Sequence, residues 1–155
     1  MTVTVDTAGP EAYRAAREAL LSGPLTDPAG RRERLAALTD EWVASLFRAS
    51  GADPAVCALV AIGGYGRREL APGSDIDLLL LHAPGTDVSA FADRIWYPIW
   101  DSGVKLDHSV RTPVQARRLA NSDLKVMLGL IDGRTIARDE SLFAGLRASS
   151  LSDWR

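Results

Sequence analysis

The chain is predicted to fold as an α+β domain: a small mixed sheet flanked by helices, preceded by an N-terminal helical extension. Three observations predict it. Residues 1–54 carry apolar side chains at helical spacing, residues 58–81 hold two short continuous apolar runs, and residues 105–111 alternate apolar with polar. Its 155 residues suit one domain large enough to bury a real core.

Taken in order, residues 1–9 are small and polar and are expected to fray. A first helix follows over 11–23, with Pro10 suited to a first turn and Gly23 to a stop. After a Pro24–Pro28 linker, a longer helix is expected from about Gly30 to Ser50. Its Leu35, Leu38, Trp42, Leu46 and Phe47 fall on one face, and Asp53-Pro54 ends it. The run ALVAIGG (58–64) then reads as a buried strand closed by paired glycines, and DIDLLLL (75–81) as a second strand, polar only at its start. Val88–Trp100 reads as an amphipathic helix, Lys105–Arg111 as a third strand, and Asn121–Ile136 as a helix. The tail SSLSDWR reads as an interrupted helix or linker. The expected organisation is an extension over 1–54, a core over 55–147, and a linker over 148–155.

Composition excludes several classes. Eighteen basic against 20 acidic residues leave a net charge of −2, which does not suggest a nucleic-acid binder. No apolar run approaches the roughly 20 residues that span a bilayer, and the N-terminus lacks the pattern of a secretory signal. One cysteine, Cys57, allows no internal disulfide, and two histidines allow no multi-histidine metal site. A cytoplasmic location is the expectation. Trp96, Tyr97 and Trp100 recur at helical spacing and are expected in the core, as is Cys57.

Chemistry concentrates in Gly63, Gly64, Asp75 and Asp77. Carboxylates at i and i+2 of a strand project to one face, where they repel unless a cation lies between them. Hard oxygen ligands of this kind suit Mg²⁺, commonly shared with substrate phosphates. An isolated D-x-D is more often a turn or a cap. Here it opens a buried LLLL strand, where two unpaired carboxylates would be expensive. Upstream, Gly63-Gly64 lets the backbone approach a phosphate closely, and a β-branched side chain at Gly64 would block that approach. The spacing matches neither the dinucleotide-binding G-x-G-x-x-G nor a P-loop. The combination describes a site for a nucleoside triphosphate and its metal.

The segment VAIGGYGRRELAPGSDIDLLLL resembles the signature of the DNA polymerase β-like nucleotidyltransferases, in which a glycine turn precedes a D-x-D strand. With WD…HSVRT and LKVMLGLIDGRTIARDESLFAGLR, residues 59–147 resemble the N-terminal domain of bacterial protein-PII uridylyltransferases, also called uridylyl-removing enzymes. The resemblance implies a third acidic residue on a neighbouring strand. Alternation places Asp107 opposite the Leu106/His108/Val110 face, making it the candidate, with Asp101 the alternative. His108 is expected to be a packed histidine. Asp75, Asp77 and Asp107 are thus the expected catalytic and Mg²⁺-binding residues, and Gly63, Gly64, Arg67 and Ser74 the expected nucleotide-binding ones. Arg111 and Lys125 are further candidates for phosphate contact, and Arg68 is expected to face solvent.

The resemblance further implies transfer of a nucleotidyl group from UTP, with ATP the alternative, to a tyrosine of the nitrogen-regulatory protein PII, releasing pyrophosphate. Full-length members carry HD and ACT domains, for which this chain has neither the histidines nor the length. It is therefore expected to be an isolated nucleotidyltransferase fragment. The competing readings are a nucleotide-binding module without catalysis, and a transferase acting on a small molecule or a toxin partner.

Overall fold

A computed structural model describes residues 9–137 and 141–154 of the chain. Most of the segment expected to fray, and residues 138–140 of the last family-like segment, lie outside the described residues. The first helix, α1 (Pro10–Ser22), packs on α2 (Pro28–Ser50) through the stacked rings of Tyr13 and Trp42, 4.0 Å apart. Asp27 caps α2 by accepting from the Gly30 amide at 3.0 Å, and Gly51, at φ +86°, ends it. Glycine suits that left-handed turn because it has no Cβ to clash.

The sheet contains β1 (Cys57–Ala61), β2 (Ile76–His82), β3 (Leu106–Arg111) and β4 (Arg134–Ala137), in the order β3-β2-β1-β4. β1 is antiparallel to both neighbours, and β2 and β3 are parallel, so the sheet is mixed as expected. A parallel pair needs a crossover. It is supplied by a 3-10 turn (Val88–Ala90) and α4 (Ala92–Asp101), where one longer helix was expected.

Helices cover both faces. Leu59, Leu78 and Leu80 point to the face packed by α1, α2 and α4. Val60, Leu79 and Leu81 point to the other, against Ala116, Met127 and Phe143. A strand buried on both sides needs no polar alternation, which explains the continuous LLLL run. Cys57 is fully buried as expected.

The stretch after Arg111 departs most from expectation. In place of one helix over 121–136 there are α5 (Pro113–Ser122), α6 (Leu124–Ile131) and then β4. Thr112 starts α5 with a capping box to Gln115, and Asp123 breaks the path and caps α6 by accepting from the Lys125 amide at 2.9 Å. Gly133 presses so closely on the Phe143 ring that any side chain would collide, and the β-branched pair Thr135-Ile136 then pairs with β1. The last helix, α7 (Ser141–Asp153), runs unbroken across the boundary expected at 147. Among the described residues no helix is long and apolar enough to cross a membrane.

Candidate active site

Strand alternation places Asp77 on the same side as Leu79 and Leu81, facing α5 and α6. At its end of the sheet those helices leave a cavity of about 380 Å³. Asp77, Asp107, Ser109 and Arg111 line it from the sheet, Gly63 and Arg67 from the glycine turn, and Leu119, Lys125, Leu128 and Asp132 from the two helices. β2 and β3 run in a register that sets Asp77 directly beside Asp107.

The glycines do not end β1 as strand residues. They form one helical turn, α3 (Gly63–Gly66), whose first residue sits at φ +59°. A Cβ on Gly63 would come within 2.8 Å of Asp77 Oδ2. The requirement for glycine therefore falls on Gly63. Gly64 has no left-handed backbone, and a Cβ there would meet only Arg67 Nη2, at 3.7 Å. The obstruction expected at Gly64 moves back by one residue.

The carboxylates are electrostatically coupled. Burial raises the Asp77 pKa to about 6, with the like charges of Asp107 and then Asp75 adding to it and Lys125 opposing. Asp75 precedes β2, is exposed, and does not line the cavity. Among the described residues no three His, Cys, Asp or Glu side chains are gathered closely enough to cage a cation. Asp77 and Asp107, with Asp75 near enough for its charge to act on Asp77, are nevertheless hard oxygen donors whose mutual repulsion a divalent cation would relieve, so the donor set fits Mg²⁺.

The other expected residues divide. Arg67 reaches the cavity already paired, donating to Asp132 Oδ2 at 2.9 Å and Glu69 Oε2 at 3.0 Å. Those bonds hold its pKa up, Asp132 contributing most. Ser74 lies outside the cavity lining, and its Oγ accepts from the Ala71 amide at 3.1 Å to close a turn. Arg111 and Lys125 both line the cavity. Asp101 ends α4, and its carbonyl accepts from Arg14, away from the cavity. Arg68 is exposed, as expected.

His108 is an exposed residue rather than an enclosed one. Its ring rests 4.8 Å from that of Trp96 and 5.5 Å from that of Trp100. Trp96 is buried, but Tyr97 and Trp100 are 57% and 42% exposed, so two of the three aromatics expected in the core lie at the surface. Sequence reasoning missed Ser109, Leu119, Leu128 and Asp132 as cavity residues. The Thr112–Gln115 capping pattern and the Asp132-Gly133 turn were the available signals, since they delimit the two helices that form the far wall.

No family model matches the chain. Over 157 residues it is 54% identical to a bifunctional uridylyltransferase/uridylyl-removing enzyme of Streptomyces coelicolor, covering all of this chain and 19% of that one. A Mycobacterium tuberculosis H37Rv enzyme of the same name is 44% identical over 145 residues, covering 90% of this chain and 18% of the relative. A crystal structure described as a toxin-antitoxin with AMP-PNP aligns at a TM-score of 0.49 and 14% identity, over 74% of this chain and 86% of that one. The chain spans about a fifth of the length of the curated relatives it matches. Over that span it is a homologue of the bifunctional uridylyltransferase/uridylyl-removing enzymes.

Proposed function

We propose that the chain carries the nucleotidyl-transfer site of such an enzyme. It would take a uridylyl group from UTP, with ATP the alternative donor, and pass it to a tyrosine of PII. The observation that carries the reading is the Asp77–Asp107 pair lining the cavity side by side, with the Gly63 backbone against Asp77 Oδ2. Lys125 and Arg111 supply positive charge for the phosphates. Leu119 and Leu128 shield the nucleoside from water on the helical wall.

The tyrosine oxygen attacks the α-phosphorus, the bond to the β-phosphate oxygen breaks, and pyrophosphate leaves. The phenolic proton passes to one of the two cavity carboxylates, Asp77 or Asp107. Asp77 and Asp107, with Asp75 nearby, would hold Mg²⁺. Bound there, it supplies charge neutralisation of the triphosphate and activation of the phosphoryl group.

The test incubates purified PII with Mg²⁺ and each nucleotide in turn, adding either this chain or a full-length relative, and weighs PII by mass spectrometry. A uridylyl increment on a tyrosine is expected, and it should vanish with Asp77→Asn. A shift with ATP alone replaces the donor. No shift with either protein and either nucleotide would reject the reading.

A further inference from the structure

Arg134 does not line the cavity, yet its side chain is tied to the turn that does. From the edge strand β4 its Nε donates to the Gly66 carbonyl at 3.2 Å and its Nη2 to the Tyr65 carbonyl at 2.9 Å. The remaining arm, Nη1, pairs with Asp40 Oδ2 on α2. The guanidinium also lies 5.2 Å from the centre of the Tyr65 ring. Both members of the ion pair are mostly withdrawn from water, their side chains 18% and 28% exposed.

The other side of the turn is closed as well. A Cβ on Gly66 would overlap the Asp132 carbonyl and stand 2.9 Å from the Ala61 carbonyl. The four-residue turn is thus gripped at its C-terminal carbonyls by Arg134 and packed at Gly63 against Asp77. We propose that Arg134 is a positioning residue for the site: by holding the Tyr65 and Gly66 carbonyls from behind, it keeps Gly63 seated against Asp77. What the seated turn serves rests on the nucleotidyl-transfer reading.

Three features favour positioning over simple stabilisation. A guanidinium presents its donors as a rigid fork that spans two carbonyls and a carboxylate, which a lysine ammonium cannot copy. A largely buried ion pair is a weak source of net stability, because desolvating both charges offsets much of their attraction. The pair also reaches the turn through Tyr65 itself, whose fully buried hydroxyl lies against the Asp40 carboxylate; burial first, and then that neighbouring charge, hold the phenol's pKa up. What the pair supplies without compromise is a fixed direction for the fork.

The test separates geometry from stability. Arg134→Gln alone leaves Asp40 buried and unpaired, so the informative variants are the charge-free Arg134→Met/Asp40→Leu pair and Arg134→Lys. The readouts are urea unfolding, amide exchange at Arg67 and Glu69, which donate to the Gly63 and Gly64 carbonyls at 3.1 and 2.9 Å, and Mg-nucleotide affinity. In both variants the two amides should exchange roughly tenfold faster or more while the β1 and β2 amides keep their protection, and UTP or ATP should bind roughly ten- to a hundredfold more weakly. Undiminished protection at Arg67 and Glu69 overturns the proposal, as does unchanged affinity in a variant whose wild type binds. If the wild type binds neither nucleotide, the nucleotidyl-transfer reading fails, and amide exchange still decides the role of Arg134.

Discussion

Asp77 is held in the folded protein at a cost that its pH dependence should reveal. Its folded pKa of about 6 lies above the unfolded value of roughly 3.9. Between those values the folded state binds the proton more tightly, so stability falls as pH rises through about 4 to 6 and stays lower above. Asp77→Asn removes the charge while nearly keeping the shape. The variant should gain about 1 kcal/mol at pH 7, partial exposure screening the remainder, and should lose that pH dependence. Thermal unfolding from pH 4 to 8 checks both, and added Mg²⁺ should stabilise the wild type but not the variant. A glycine comparison belongs at this scale too. Gly63→Ala meets both a left-handed backbone and the Asp77 carboxylate, and should cost about 1–2 kcal/mol. Gly64→Ala should stay within about 0.5 kcal/mol in the same urea titration. Sequence alone could not separate the two glycines, because the difference lies in which of them faces Asp77 across the strand.

Among the elements, the turn α3 closes in an unexpected way. The Arg68 amide donates to the Tyr65 carbonyl at 3.1 Å and the Glu69 amide to the Gly64 carbonyl at 2.9 Å, the paired bonds of a Schellman ending. The residue that must turn left-handed there is Arg68, at φ +61°, where glycine is usual. Arg68→Gly should therefore raise stability by about 1 kcal/mol, less the extra freedom of the unfolded chain, seen as a higher urea midpoint. The first three strands and the first two helices were legible because their periodicity is strong and local. Asp77 was legible as a candidate through alternation, and Asp107 through the third acid that the family resemblance implies together with alternation, whereas their register depends on how far the α4 crossover carries the chain. β4 was not legible. Four residues between two helices give too short a pattern, and the apolar spacing of Leu124–Ile131 runs into Ile136 as though one helix continued. Arg134 was hidden with it.

The whole molecule is a sheet with a core on each face, and the cavity lies on one of those faces, between Asp77 and Asp107 of the sheet and the wall made by α5 and α6. Two faces covered by separate stretches of chain also set an order of assembly. α1, α2, β1 and β2 all lie within the first 82 residues, and their mutual contacts close short loops. β4 must return to β1 across some seventy residues, and the Arg134–Asp40 pair joins positions 94 apart. Contacts that distant form slowly, because chain entropy is lost before they reward it. In refolding followed by pulse-labelled exchange, the β1–β2 amides should gain protection first and those of Arg67 and Glu69 only with β4. During synthesis the same order keeps the glycine turn unclamped until residue 137 has left the ribosome, so a nascent chain carries its acidic pair for some time before the cavity around that pair has its settled shape.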